Sequence, residues 1–376
     1  MKRVLVGATI LLAFVSCAQK QNVIKLGLVA PLTGDVKTFG ESTKNGFTVA
    51  VDEANAKGGI NGKQIKVFIA DDKNDPTEAA NAGSKLINQD GVRLIIGSVS
   101  SKCSIPLSEL CETMGAAMIT PTSTNPKVTI RDDGTRKAMV FRACFIDPFQ
   151  GAVAAKFALD NLKAKTSAIL YDVGNDYVKG LAEFYRDDFV KGGGTVVAYE
   201  SYAKDDADFS AILTKVKREN PDILYVPDYY NKVGLIAKQA RQLGLKSVLM
   251  GGDGWDSPDM TKIAGEAIEG GYFTNHYSPD DPRPEVQEWV KKYEARFGSK
   301  PDALATLAYD ATSLMIAAAT QAGSDDPAKV RDALQSVQMK AISGSVTFDS
   351  SGNPIKSAAI MRYTRTGQEY VATVMP

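Results

Sequence analysis

The chain has 376 residues, and its 44 basic and 44 acidic side chains cancel to a formal net charge of zero. That balance removes any electrostatic argument for nucleic acid or an anionic surface as a partner, and a single histidine leaves little room for histidine-based catalysis or metal ligation. The length is enough for two domains, each with an ample core.

Residues 1–17 read as a secretory signal: Lys2 and Arg3, the apolar run from Val4 to Val15, then the small residues Ser16, Cys17 and Ala18. The apolar run is too short to anchor the chain in a membrane, and no later stretch approaches the roughly 20 apolar residues of a spanning helix, so the mature protein is expected to be exported and soluble. The stretch "AFVSC" resembles a bacterial lipobox, whose cysteine is lipidated and becomes the first mature residue, although Phe14 is an unusual occupant three places before it. The alternative is ordinary cleavage near Ala18 and a freely diffusing product. Beyond Cys17 stand Cys103, Cys111 and Cys144. Cys103 and Cys111 fall about two turns apart on one predicted helix, too far to bridge, so any disulfide has to involve Cys144. Otherwise all three are small apolar core residues.

After the signal, "VIKLGLVAPLTG" is a β-rich run ending in Pro and Gly, and Phe47, Ala50, Val51 and Ala54 recur at helical spacing within "ESTKNGFTVAVDEANAKGGING". Gly58 and Gly59 stop that helix. Strand "KQIKVFIADD" follows, then a helix opened by Asp75 as cap, Pro76 at its first position and Glu78 three residues after the cap. The alternation continues with strand "RLIIG", a helix over 103–114, and strand "AAMIT" running into the hydroxyl-rich turn "PTSTNP". From Asp147 the rhythm restarts: helices over 149–162, 178–191, 208–218 and 231–243 alternate with strands "SAILYD", "TVVAYE", "DILYVP" and "SVLMGG", and "GGYFTN" closes the series. Helices over 284–297, 302–322 and 327–335 and short strands near 345–348, 358–363 and 369–374 break the pattern. Apolar strands alternating with amphipathic helices specify an α/β fold with parallel sheets covered on both faces, here in two successive doubly wound halves. The late elements are expected to pack back on both halves, making the domains discontinuous, and the lack of a low-complexity linker argues for a close hinge.

Ligands of open α/β sheets collect at the carboxyl ends of the strands. Those ends here carry Gly97 to Ser101, Thr120 to Thr124, Asp172 to Tyr177, Asp228 to Tyr230 and Gly251 to Trp255: hydroxyls, tyrosines, glycines and few acids. A cleft so lined suits a small zwitterionic ligand that is partly apolar. Enzyme signatures are missing: there is no G-x-S-x-G elbow, no Walker-type phosphate loop, no G-x-G-x-x-G after the first strand and no paired-histidine motif. "KGGINGK" follows a helix and precedes a strand, the wrong order for cradling phosphate. His276 reads as a surface or hinge residue, and the acidic pairs at 71–72, 187–188 and 205–206 as solvated charge. No catalytic residue, metal site or cofactor is expected.

The ordered series "IKLGLVAPLTGDVKTFGESTKNGFTVAVDEANAKGGINGKQIKV", "ITPTSTNP", "FRACFIDPFQG", "DYVKGLAEFY" and "MGGDGWDSP" resembles the leucine/isoleucine/valine-type binding proteins of bacterial ABC importers over about residues 23–365. The resemblance implies a type I periplasmic binding protein: two Rossmann-like lobes joined by a three-strand hinge, closing on an amino acid. It implies an N-terminal lobe of residues 22–146 plus 277–348 and a C-terminal lobe of 147–276 plus 349–376. The family's α-carboxylate contacts fall on Ser101, the Thr124 amide and the Tyr229 phenol. Its α-ammonium contacts fall on the Thr122 carbonyl, the Thr124 hydroxyl and Asp253. Phe39 and Tyr177 match positions that cover the ligand, Trp255 is a candidate side-chain wall, and Leu304 is a looser match. The family's first-lobe disulfide has Asn74 and Ser100 at its positions, so that bridge is expected to be absent. Asp253 stands where glutamate occurs and Trp255 is bulky, which bears on specificity for leucine. The resemblance further implies a monomer in the periplasm or on the outer face of the cytoplasmic membrane, passing its amino acid to a membrane permease. A sensor domain binding amides or other small metabolites is the alternative; the lack of a cytoplasmic output module favours transport.

Overall fold

In the computed structural model, which describes residues 23–375, the alternation of strands and helices builds two parallel-rich sheets. The first half contains β1 (Ile24–Ala30), α1 (Lys37–Ala56), β2 (Ile65–Asp71), α2 (Pro76–Asn88), β3 (Leu94–Ile96), α3 (Ser101–Met114), β4 (Ala117–Thr120) and β5 (Val140–Arg142). Its strands lie in the order β2-β1-β3-β4-β5, all parallel. The second half follows with α4 (Asp147–Asp160), β6 (Thr166–Asp172), α5 (Asp176–Lys191), β7 (Thr195–Tyr202), α6 (Ser210–Glu219), β8 (Ile223–Tyr225), α7 (Tyr230–Gln242), β9 (Val248–Gly251), α8 (Met260–Ala264) and β10 (Tyr272–Asn275). The chain then adds α9 (Pro284–Phe297), α10 (Ala303–Ala322), α11 (Pro327–Ser336), the hairpin β11 (Gln338–Ala341) and β12 (Gly344–Thr347), and finally β13 (Ala358–Thr364) and β14 (Gly367–Val374). The last two strands return antiparallel to the edge of the second sheet, giving β14-β13-β10-β9-β8-β6-β7.

Local chemistry explains the element ends. Asp75 accepts the amide protons of Thr77 and Glu78 ahead of Pro76, a cap worth about 1 kcal/mol. Asp302 does the same for Ala305 at the start of α10. α10 is long and apolar enough to cross a membrane, which corrects the sequence-based expectation that no such stretch exists. Its apolar surface is instead buried against α1 and the first sheet. Glycine permits the close approach: a Cβ on Gly46 of α1 would lie 1.9 Å from the Ala305 carbonyl oxygen.

Cys103, Cys111 and Cys144 are all buried and free, so the core reading holds and no disulfide forms among the described residues. Where the family resemblance places a bridge, the Ser100 hydroxyl donates to Asn74 Oδ1 over 2.8 Å. The signal segment and Cys17 lie outside the described residues.

Three strands of chain pass between the halves, and buried polar groups join them. The first follows β5 and the second follows β10. The third follows β12, and residues 348–354 pack on the first half: Phe348 meets Phe141 edge-on, Thr129 donates to Asn353 Oδ1, and the Arg142 amide donates to the Gly352 carbonyl. Lys356, fully buried on this third passage, donates to the Ala143 carbonyl on the first at 3.0 Å and to the Ser343 hydroxyl. β5 itself is absent from the sequence reading; its three residues carry no periodicity and end on Arg142, a charged side chain that is fully buried.

Candidate functional site

The strand ends of both halves meet at one pocket, the place where open α/β sheets present side chains to small ligands. Phe39 comes from the first turn of α1, Val99 to Ser101 from the β3–α3 connection, Thr122 and Thr124 from the turn after β4, and Leu304 from the first turn of α10. Facing them are Tyr177 from the first turn of α5, Tyr229 from the cap of α7, and Asp253 and Gly254 from a short 3₁₀ turn after β9.

The hydroxyl turn divides its labour. Thr122 Oγ1 donates to the Val99 carbonyl at 2.8 Å and Ser123 Oγ to the same oxygen at 3.0 Å, which binds this turn to the β3–α3 connection. Ser101 Oγ accepts the Asn125 amide proton. From behind, the buried Arg142 guanidinium donates to the Ser123 and Asn125 carbonyls at 2.7 and 2.9 Å. Thr124 Oγ1 alone has no protein partner, although it is buried. The turn is therefore rigid, with one hydroxyl left over at the pocket.

Opposite stands Asp253, whose side chain is 12% exposed. Its Oδ1 accepts from the Tyr177 hydroxyl and from Gln150 Nε2, each at 2.8 Å, and its Oδ2 lies 3.0 Å from His276 Nε2. The Tyr177 and Tyr229 rings stack at 5.5 Å and 2°, and Phe39 meets Tyr229 edge-on at 5.6 Å. Burial pushes both tyrosine hydroxyls well above their usual pKa, which keeps them protonated as donors; Tyr229 has no partner for its hydroxyl. Behind Thr124, Asp147 is fully buried with both carboxyl oxygens unpartnered, and burial raises its pKa to about 8.

Seven of the eight sequence-derived candidates, Phe39, Ser101, Thr122, Thr124, Tyr177, Tyr229 and Asp253, line this one pocket, together with the looser match Leu304. Trp255 does not. Its indole is fully buried behind the site, donating to the Val226 carbonyl at 2.9 Å and packing beside Phe273 and Tyr363. The 3₁₀ turn that aims Asp253 at the cleft turns residue 255 into the core. Of the two alternatives for His276, the hinge one fits: it sits at the boundary of the halves, buried against Asp253 and not on the surface. Gln150 was missed altogether; its only signal was its place one turn after Asp147 in "DPFQG". Among the described residues no His, Cys, Asp and Glu side chains cluster as metal ligands.

A neutral-donor set, a lone acid and aromatic walls in a closed cleft are suited to holding a small dipolar molecule out of water. The comparisons with known proteins agree on the family. A family model described as periplasmic binding protein matches residues 23–368. The Leu/Ile/Val-binding protein homolog 2 of Brucella abortus is 37% identical over 349 residues, covering 92% of this chain and 91% of that one. The crystal structure of a leucine binding protein from Thermotoga maritima superposes with a TM-score of 0.89 at 36% identity, covering 94% of this chain and 99% of that one. A branched-chain amino acid transporter substrate binding protein from Streptococcus pneumoniae, in complex with isoleucine, superposes with a TM-score of 0.88 at 30% identity, covering 94% of this chain and 100% of that one. The chain belongs to the leucine/isoleucine/valine-binding family of periplasmic binding proteins: it is a solute-binding protein and not an enzyme.

Proposed function

We propose that this chain captures a branched-chain or other aliphatic amino acid between its two halves and delivers it to the membrane permease of an ABC importer. The observation that carries the reading is the polarity of the pocket: a rigid donor set on one half faces a single acid on the other, with apolar side chains between. In this reading the ligand carboxylate takes hydrogen bonds from the Ser101 hydroxyl, the Thr124 amide and the Tyr229 hydroxyl. Its ammonium meets Asp253, the Thr122 carbonyl and the Thr124 hydroxyl. Phe39, Val99, Leu304 and the Tyr177 ring receive an aliphatic side chain. The unpartnered hydroxyls of Thr124 and Tyr229 support this, because buried polar atoms ordinarily find partners.

Three contacts across the mouth favour the closed arrangement: Thr38 Oγ1 donates to Asp259 Oδ2 at 2.5 Å, Tyr230 donates to Thr38 Oγ1 at 3.2 Å, and Asn125 Nδ2 donates to the Asp176 carbonyl at 2.9 Å. The protein works outside the cytoplasm, as its family does, and as a monomer. Lipidation at Cys17 would hold it at the membrane face, and accumulation of uncleaved precursor under a lipoprotein signal peptidase inhibitor tests that point.

Calorimetric titration of the mature protein with leucine, isoleucine, valine, simple amides and aromatic carboxylates tests the ligand class. The aliphatic amino acids are expected to bind, and Asp253→Ala is expected to cost about 2–5 kcal/mol of that binding by leaving the ammonium unpaired. Tight binding of an amide with none of leucine would replace the reading.

A further inference from the structure

We infer that Gln150 and His276, which lie outside the pocket lining, are positioning residues that fix the Asp253 carboxylate for the ligand's ammonium; this rests on the amino-acid reading of the pocket. A carboxylate offers about four acceptor sites. Three are engaged within the protein: Gln150 Nε2 and the Tyr177 hydroxyl on Oδ1, and His276 Nε2 on Oδ2. One remains for a donor arriving in the cleft.

The protonation state of His276 follows from its surroundings. Its Nδ1 is buried without a partner, and burial lowers the ring's pKa against the pull of Asp253. The imidazole is therefore neutral, with its proton on Nε2 and directed at Asp253. Its orientation is held by Phe145, whose ring lies 3.7 Å away between centroids at 34°. Gln150 is equally determined: Nε2 is shared between Asp253 Oδ1 and Thr274 Oγ1, each at 2.8 Å. The reversed amide would set its oxygen against the carboxylate. Glycine makes room for this set, since a Cβ on Gly252 would lie 2.5 Å from the Tyr177 hydroxyl and 2.9 Å from Gln150 Nε2.

All three donors are neutral. They orient Asp253 without cancelling its charge, which an arginine or lysine in their place would do, and that charge stays available to the ammonium. Gln150 lies in the first turn of α4, just after the first passage between the halves, and His276 opens the second. The acid is thus held from the two segments about which the halves turn.

Paired substitutions separate positioning from packing. His276→Phe keeps the ring against Phe145 and removes the donor; His276→Gln keeps a donor near Nε2 and removes the ring. Titrated with leucine, isoleucine and valine, His276→Phe and Gln150→Met are expected to raise Kd roughly ten- to a hundred-fold, as loss of a hydrogen bond to a charged group does. His276→Gln is expected to stay within about threefold of the unmodified protein. Near-normal Kd in His276→Phe, or equal losses in the Phe and Gln variants, would overturn the inference. If the unmodified protein binds none of the three amino acids, the ligand reading fails instead. A ligand-free measurement then still decides the positioning role: in crystals of His276→Phe the Asp253 carboxylate should be rotated or split, and a single unchanged orientation would refute it.

Discussion

At the scale of single residues, neighbouring hydroxyls have different jobs. Thr122 gives its proton to the Val99 carbonyl, whereas Thr124 has no partner within the protein. Thr122→Val is expected to cost about 1 kcal/mol of stability with little effect on ligand contacts made through its main chain. Thr124→Val should leave the unfolding midpoint almost unchanged and weaken amino-acid binding roughly tenfold. Chemical denaturation and calorimetry on the two variants check both halves of the statement; the opposite pattern would mean that Thr124 is the structural hydroxyl. Such a distinction is invisible in "TPTSTNP", where the residue types are alike and only the partners differ. Trp255 makes the same point from the other side. Two positions from Asp253 in sequence, it faces away from the cleft because a 3₁₀ turn rotates successive side chains by about a third of a circle.

At the scale of elements, the contact between α1 and α10 decides how the first half closes over its sheet. Gly46→Ala would drive a methyl group into the Ala305 carbonyl, and overpacking of this kind costs about 1–3 kcal/mol. A lowered unfolding midpoint is the expected result, and an unchanged one would show that the helices separate without cost. Most elements were legible from periodicity and caps, as with Asp75 and Pro76 at α2. β5 was not, because a three-residue strand is too short for a period, and its Arg142 contradicts the apolar pattern. That arginine is buried to hold the carbonyls of the hydroxyl turn, a reason that exists only once the turn is folded beside it.

At the scale of the whole molecule, closure and pH response are shared by distant residues. Asp259→Ala removes the acceptor of Thr38 at the cleft mouth, away from the pocket lining. It is expected to favour the open form, weakening ligand binding about three- to tenfold and enlarging the ligand-free particle in small-angle scattering; no change in either would mean that this contact does not bias closure. Burial, meanwhile, raises four carboxyls in the folded chain from 3.8, to about 6 for Asp72 and Asp228, about 7 for Asp302 and about 8 for Asp147. The folded state then keeps protons that the unfolded chain has released. Their contribution to stability is fully present below the unfolded value and is lost as pH rises through these folded values. Each retained proton gives a slope of about 1.4 kcal/mol per pH unit within its window. Urea unfolding from pH 6 to 8 should show stability falling, and Asp147→Asn should flatten the fall; an equal slope in the variant would mean that Asp147 titrates elsewhere.

Sequence alone determined the doubly wound α/β architecture and its placement of the cleft, because strand and helix periods and their caps are local properties that survive without knowledge of neighbours. It also supplied most of the pocket, since the ends of parallel strands are where such sheets present side chains to a ligand. Tertiary structure alone decided which way Trp255 points, that residues 348–354 pack on the first half, and that Gln150 and His276 converge on Asp253. Those outcomes depend on contacts between segments as much as 224 residues apart, Thr129 to Asn353, and no periodicity in either segment encodes the other.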